Sequence, residues 1–270
     1  KCVVTVSPLT LRGRRGAAVV LEDTTGIEQA EQMRRDFVAN VSHELRTPLT
    51  ALMGFIETLR GPARNDAAAR ERFLAIMDRE AGRMNRLIGD LLSLSRVEQE
   101  ERRRPSERVD LAGLIRSACA TLAPTAQAAG TALVKIGTGV TAEVAGDADQ
   151  IQQVLHNLIE NAIKYGSRPG GGEVRVTLSH VAHEPVLRGP GWAIEIADDG
   201  EGIDEVHLPR LTERFYRVDT HRSREKGGTG LGLAIVKHIV ARHRGRLKID
   251  SAKGQGSRFT VILPEWTVQG

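Results

Sequence analysis

The chain has 270 residues, 40% hydrophobic and 27% charged, with 28 glycines and 10 prolines, a balance that excludes collagen-like, low-complexity and highly charged disordered chains. Aromatics make up only 3%, so cores have to be built from Leu, Ile, Val and Ala. The net charge of +4 comes from arginines interleaved with Glu and Asp, which reads as mixed-charge surface rather than a nucleic-acid interface. Cys2 and Cys119 form neither a metal pattern nor a disulfide framework. No run reaches the roughly eighteen apolar residues of a membrane span, and no signal peptide is visible.

Two β-like runs, Cys2 to Val6 and Ala17 to Leu21, flank a turn-rich LRGRRG segment. Two strands alone do not make a stable domain, so this piece reads as a remnant or as packing on something else. From about Ile27 to Leu59 the apolar period is helical, and Gly61-Pro62 stops it. A second helix runs from about Ala67 to Val97, with Phe73, Ile76, Met84, Leu87, Leu91 and Leu94 in its apolar stripe. Two long helices on a short loop predict an antiparallel hairpin. Its apolar faces are covered when two copies pair as a four-helix bundle, so a homodimer is expected. The charge run Glu98 to Arg104, ended by Pro105, reads as the helix end and a linker, with 97–109 as a candidate hinge.

Beyond Val109 helices over 111–129, 148–165 and 231–242 alternate with strands over 132–136, 173–179, 192–197, 246–250 and 257–263. That order predicts an α/β sandwich, and Asp147 is placed to cap its second helix. The fold class expected is therefore α+β: a dimerising two-helix hairpin followed by an α/β sandwich. The domain limits expected are 1–26, 27–104 and 105–270.

The chemistry starts on the first helix, where Phe37, Val38, Val41, Leu45, Leu49 and Leu52 recur at helical spacing. His43 stands there with Glu44 beside it, and Thr47 lies one turn on, on the same face. Pro48 has no N–H for the carbonyl of Glu44 and predicts a bend just past the histidine. Downstream, NLIENAIKY puts Asn157, Asn161 and Lys164 on one helical face, followed by Tyr165. Magnesium takes one or two protein oxygens plus phosphate and water, and an asparagine oxygen suits that role. Asp198, Gly200 and Gly202 follow an apolar strand, with a carboxylate able to accept from an amine and glycines that allow close approach. Arg217 lies in a loop after them. Gly227-Gly228-Thr229-Gly230-Leu231-Gly232 then opens a helix, where free N–H groups favour phosphate. The spacing is neither GxGxxG nor GxxxxGK[ST].

FVANVSHELRTPLT resembles the phosphoacceptor box of bacterial sensor histidine kinases, and the later boxes resemble the ATP-binding Bergerat (GHKL) fold of that family. The resemblance covers about 32–264. Residues 1–26 similarly resemble the last strands of a PAS-type sensor domain, with Glu22-Asp23-Thr24-Thr25 as its exit. The family implies that His43 accepts the phosphoryl group, that Glu44 accepts its proton and orients it, and that Thr47 positions water for phosphoryl removal. It implies Asn161 as the Mg²⁺ ligand, with Asn157, Lys164 and Tyr165 around the nucleotide and Asp198, Gly200 and Gly202 holding the adenine. Arg217 would approach the γ-phosphate, with Gly228, Gly230 and Gly232 as the lid. Thr212 departs from the Phe usual there, and PRLTERFYRVD looks most like the phosphate-regulon sensor branch.

The implied cofactors are ATP and Mg²⁺. The implied partners are a second copy and the receiver domain of a response regulator, with no nucleic acid. The place implied is the cytoplasmic portion of an inner-membrane-anchored bacterial protein whose anchor lies outside this chain. Three rivals stand beside that expectation. A gyrase- or chaperone-like ATPase would carry a water-activating Glu where Asn157 stands. A related serine kinase needs no helical His domain, and an ATP-binding dimeric scaffold would show no phosphotransfer.

Overall fold

A computed structural model of the chain describes residues 2–11, 14–100, 103–166, 171–219 and 227–267. The chain divides into two compact units, Lys1–Met84 and Asn85–Gly270.

In the first unit, strands β1 (Cys2–Leu11) and β2 (Arg14–Asp23) form one antiparallel hairpin, paired from Cys2–Asp23 to Leu11–Arg14. It is longer than the alternation predicts, because Pro8, Arg14 and Arg15 interrupt the apolar pattern without breaking the pairing. Val3, Val4, Val6, Val19, Val20 and Leu21 are 49–68% exposed. The chain then turns into a helix at Asp23, whose Oδ1 accepts from the N–H and the hydroxyl of Thr25 at 2.9 and 2.5 Å. Those two bonds hold the Asp23 carboxyl below its usual range.

Helix α1 (Thr25–Arg60) continues through Pro48, which is buried. The Thr47 hydroxyl donates to the His43 carbonyl at 3.1 Å. Helix α2 (Ala67–Gln99) starts where the Asp66 carboxylate accepts from Ala69 N–H at 2.8 Å. Two contacts set the hairpin antiparallel. Phe55 stacks on Phe73 with centroids 5.2 Å apart, near the loop, and Glu44 meets Arg83 farther from it. Met33, Val38, Leu49, Met53, Ile56 and Leu74 remain 42–61% exposed, an apolar stripe that one chain does not cover.

The second unit holds the end of α2 and an α/β sandwich. Its sheet runs β4 (Thr131–Ile136), β6 (Gly172–Glu184), β7 (Gly189–Asp198), β9 (Ser257–Pro264), β8 (Arg246–Ser251). The β4–β6 pair is parallel and the rest are antiparallel. Helices α3 (Leu111–Ala128), α4 (Ala148–Gly166) and α5 (Gly232–Arg242) supply most of the core against it. Ile115, Leu155, Leu158, Ile159, Ile194, Ile196 and Ile235 are buried to within 1%. At about 25 cal/mol per Å² each such side chain contributes about 1.5–3 kcal/mol.

Two short strands, β3 (Glu107–Asp110) and β5 (Glu143–Gly146), pair antiparallel beside it. At four residues each they carry too little alternation to be read from sequence. The β6–β7 connection is also tighter than expected, with both strands extended towards a turn that has Arg188 at φ 56°. The polar run His180 to Glu184 lengthens β6 where hydropathy alone ends it. Past Val97, Glu98, Glu100 and Arg103 likewise make contacts that a solvated linker would not. Arg214 and His238 meet Glu98, and the Arg242 side chain, 7% exposed, donates from Nε to the carbonyls of Glu100 and Arg103 at 3.2 and 3.1 Å.

Asp147 caps α4 by accepting from Gln150 N–H at 3.1 Å. The Asp147 N–H itself donates to Nε2 of His243 at 3.0 Å, and the other ring nitrogen, Nδ1, lies 2.8 Å from the Ile239 carbonyl. A backbone N–H only donates and a carbonyl only accepts, so this buried ring is neutral with its proton on Nδ1. Burial pushes the His243 pKa down. The unfolded chain therefore binds the proton more readily below about pH 6.5. This ring's contribution to stability is complete above that pH and falls as pH drops towards the lowered folded value. Urea unfolding at pH 7.5 and 5.5 checks it: His243→Gln is less stable than wild type at pH 7.5, and the gap narrows at pH 5.5. A gap of constant size would refute the assignment.

Candidate active site

The residues expected at the phosphoacceptor, His43, Glu44 and Thr47, lie in the first unit. His43 is exposed on α1, as is Thr47, while Glu44 points towards α2. Its carboxylate receives Arg83 Nη2 at 2.6 Å, with side-chain exposures of only 11% and 12%. Adjacent helical residues do not share a face, so the histidine is presented to solvent while its neighbour is tied inward.

The nucleotide-type residues all lie in the second unit. Half of the cradle forms where α4 ends against the β7 terminus. Gly200 is buried there, and a Cβ on it would stand 2.6 Å from Gly166 Cα and 2.7 Å from the Tyr165 carbonyl. Asp198 Oδ1 accepts from Gly200 N–H at 2.9 Å, which fixes the carboxylate at the mouth of the strand. Gly202 has φ +69°, and a Cβ there would run into the Ala252 carbonyl. That glycine is thus required by its own chain's backbone. Tyr165 is 37% exposed beside this corner.

The other half is the glycine-rich loop before α5. Gly230, at φ +75°, accepts through its carbonyl from Phe215 N–H at 2.8 Å, which places the Arg217 loop against it. Arg217 Nη2 donates to the Thr229 carbonyl at 2.8 Å, between Gly228 and Gly230. Asn157 on α4 faces the start of α5, with Nδ2 at 3.5 Å from the Gly232 carbonyl. Asn161, one turn on, is half-buried. Lys164 reaches Glu160 Oε1 at 2.9 Å, so an incoming anion would compete with that carboxylate for its ammonium. The sequence-predicted residues of the second unit are thereby gathered along α4, the β7 terminus and the loop before α5. A phosphate chain suits the N–H groups and dipole of the α5 start, and a neutral half-buried Asn161 oxygen on α4, one turn from Asn157, has the chemistry that suits magnesium, which keeps most of its shell as phosphate and water.

This chain matches the His Kinase A (phospho-acceptor) domain family over residues 33–100 and the histidine kinase-, DNA gyrase B- and HSP90-like ATPase family over residues 146–267. It is 41% identical over 255 residues to the phosphate regulon sensor protein PhoR of Pseudomonas aeruginosa, covering 93% of this chain and 55% of that protein. It is 39% identical over 249 residues to the sensor protein kinase WalK of Staphylococcus aureus, covering 92% and 58%. The chain belongs to the sensor histidine kinases. It spans about half the length of these curated relatives. Among solved structures, the Acinetobacter baumannii histidine kinase AdeS superposes with a TM-score of 0.61 at 25% identity, over 82% of this chain and 96% of that one. No helix among the described residues is long and apolar enough to cross a membrane.

Within this histidine kinase several contacting residues escape a motif reading. Asp90 of α2 accepts from the Thr229 hydroxyl at 2.6 Å, in the middle of the glycine-rich loop. Burial raises the Asp90 carboxyl, the Thr229 bond opposes that rise, Glu160 adds to it, and Lys164 and Arg86 oppose it. A Cβ on Gly227, at φ +71°, would stand 2.7 Å from Arg86 Nη2. Farther along α2, the Ser93 hydroxyl donates to Gln153 on α4 at 2.8 Å. The available signal was the carboxylate itself, set inside the apolar run LIGDLL. Gly166 and Gly256 were missed because no motif marks them, although a Cβ on either would strike Asp198.

Proposed function

We propose that this chain is the catalytic part of a sensor histidine kinase that transfers the γ-phosphoryl group of ATP to His43 and then to an aspartate of a response regulator. The observation that carries it is the pairing, in one chain, of a solvent-presented histidine on a hairpin helix with a cradle whose Asn157 replaces a water-activating carboxylate.

Phosphoryl transfer passes through a loose transition state, so catalysis rests on positioning and charge. A lone pair of the His43 imidazole forms the N–P bond while the bond from the γ-phosphorus to its bridging oxygen breaks, and ADP leaves with that electron pair. The proton on the other ring nitrogen passes to Glu44. Asn161 would hold the magnesium, with Asn157, Lys164 and Tyr165 around the nucleotide. The metal supplies neutralisation of the phosphate oxygens. Asp198, Gly200 and Gly202 take the adenine, Arg217 approaches the γ-phosphate, and Gly228, Gly230 and Gly232 close over the phosphates. Thr47, one turn from His43, positions water when the phosphoryl group is removed, which gives the protein a phosphatase role. The exposed apolar stripe on α1 and α2 supports a dimer through a four-helix bundle. The domains we assign are a sensor-derived piece over 1–26, the dimerisation and phosphotransfer hairpin over 27–104 and the ATP-binding domain over 105–270.

Phosphate-starvation signalling is the branch we favour, on the strings FVANVSHELRTPLT and PRLTERFYRVD and the likeness to PhoR. The place we assign is the cytoplasmic side of a membrane-anchored bacterial protein. Incubation with γ-labelled ATP and Mg²⁺ tests the activity. Acid-labile, alkali-stable label is expected on wild type and none on His43→Gln, a loss of more than a hundredfold. Label that persists in the variant would move the acceptor. Free phosphate without label would favour an ATPase.

A further inference from the structure

Resting on that reading, we infer that Arg83 is a positioning residue for the phosphoacceptor, holding the Glu44 carboxylate so that its charge reaches the imidazole only in part.

The geometry is specific. Arg83 Nη2 lies 2.6 Å from Glu44 Oε2, and both side chains are close to nine-tenths buried in the hairpin. Glu80, one turn earlier on α2, stands 3.9 Å from Arg83 Nη1. The other charged side chain within a turn of the acceptor is Arg46, exposed on α1. A guanidinium–carboxylate contact of this length is a charge-assisted hydrogen bond of defined plane. A carboxylate accepts from more than one donor at once, so one oxygen can take Arg83 while the group still serves the proton of His43. Fixed in this way, Glu44 keeps one orientation on the inner side of α1, next in sequence to the acceptor. Its negative charge is also largely balanced by the guanidinium, which limits how strongly it acts on the neighbouring imidazole. A helix-to-helix tie with no chemical role would need neither partner beside the acceptor. Here the tie ends on the residue next to His43.

The test is an NMR titration of the His43 ring in the whole chain, which needs no ATP, paired with the initial rate of labelling. In Arg83→Gln the unbalanced carboxylate favours the imidazolium, and the ring pKa is expected to rise by about half a unit. Glu44→Gln/Arg83→Gln, with both charges gone, is expected to return to the wild-type value. The labelling rate of Arg83→Gln is expected to fall by no more than about threefold at pH 7, the most a half-unit shift allows, and to recover as pH rises, with KM for ATP unchanged, and Arg83→Lys should recover most of it. A ring pKa unmoved in Arg83→Gln overturns the inference. A lower melting temperature with an unmoved ring does so equally, because it leaves only a structural tie. Wild type that titrates normally but takes no label would sink the kinase reading and leave the Arg83–Glu44 coupling standing.

Discussion

Replacing Gly202 by alanine is expected to destabilise the second unit by about 3 kcal/mol or more, a fall of roughly 6–12 °C in melting temperature for a unit of this size. Two separate costs combine. The left-handed backbone at φ +69° costs an alanine about 1–2 kcal/mol. The added carbon also meets the Ala252 carbonyl and lies 3.0 Å from the Gly256 carbonyl, both backbone atoms that cannot rotate aside. Gly254 provides the control. Its φ of +83° is as demanding, but nothing lies within 4 Å of its Cβ position. Gly254→Ala should therefore show the backbone cost alone, about 1 kcal/mol. Differential scanning calorimetry on both variants separates the terms. Equal shifts would mean that the loop yields and that no contact at Gly202 is rigid.

The second large effect concerns nucleotide affinity. Asp90→Ala is expected to tighten binding of a non-hydrolysable ATP analogue about tenfold. Asp90 lies within electrostatic reach of Lys164 and Glu160 and is bonded to Thr229 in the loop. A triphosphate drawn to Lys164 and to that loop brings negative charge close to a buried carboxylate. At an effective dielectric near 20, two charges about 7 Å apart repel by about 2 kcal/mol, enough for a tenfold change. Asp90→Asn distinguishes the causes, since an amide oxygen still accepts from Thr229 while the charge is gone. If repulsion dominates, both variants tighten binding; if the tether dominates, only alanine does. Titration calorimetry decides, and unchanged or weaker binding by Asp90→Ala would refute both.

The elements with long, regular signals were legible in the sequence. The apolar periods of α1 and α2, the Gly61-Pro62 stop and the Asp147 cap all appear where the pattern places them. The residues proposed for the nucleotide lie along α4, the β7 terminus and the loop before α5, because each motif sits on or at the end of a well-signalled helix or strand. What escaped depends on contacts between segments far apart in sequence. Glu44 reads as the partner of its neighbour His43, yet its side chain also meets Arg83, 39 positions away. Lys164 reads as a cation placed around the nucleotide, yet Glu160 meets it one turn back. Arg242 reads as the basic end of a helix, and His243 as an ordinary histidine after it. Only the packing turns one into a donor to two backbone carbonyls and the other into a neutral buried bridge. Such pairings leave no period in the chain.

The Arg242 contact also has a mechanical consequence. Helix α5 is eleven residues long, a stiff rod of about 16 Å at 1.5 Å per residue. One end opens from the glycine-rich loop, and the other holds the carbonyls of Glu100 and Arg103 just past α2. A pull on the chain where it leaves α2 is therefore delivered along this rod to the loop, without any slack segment between them to absorb it.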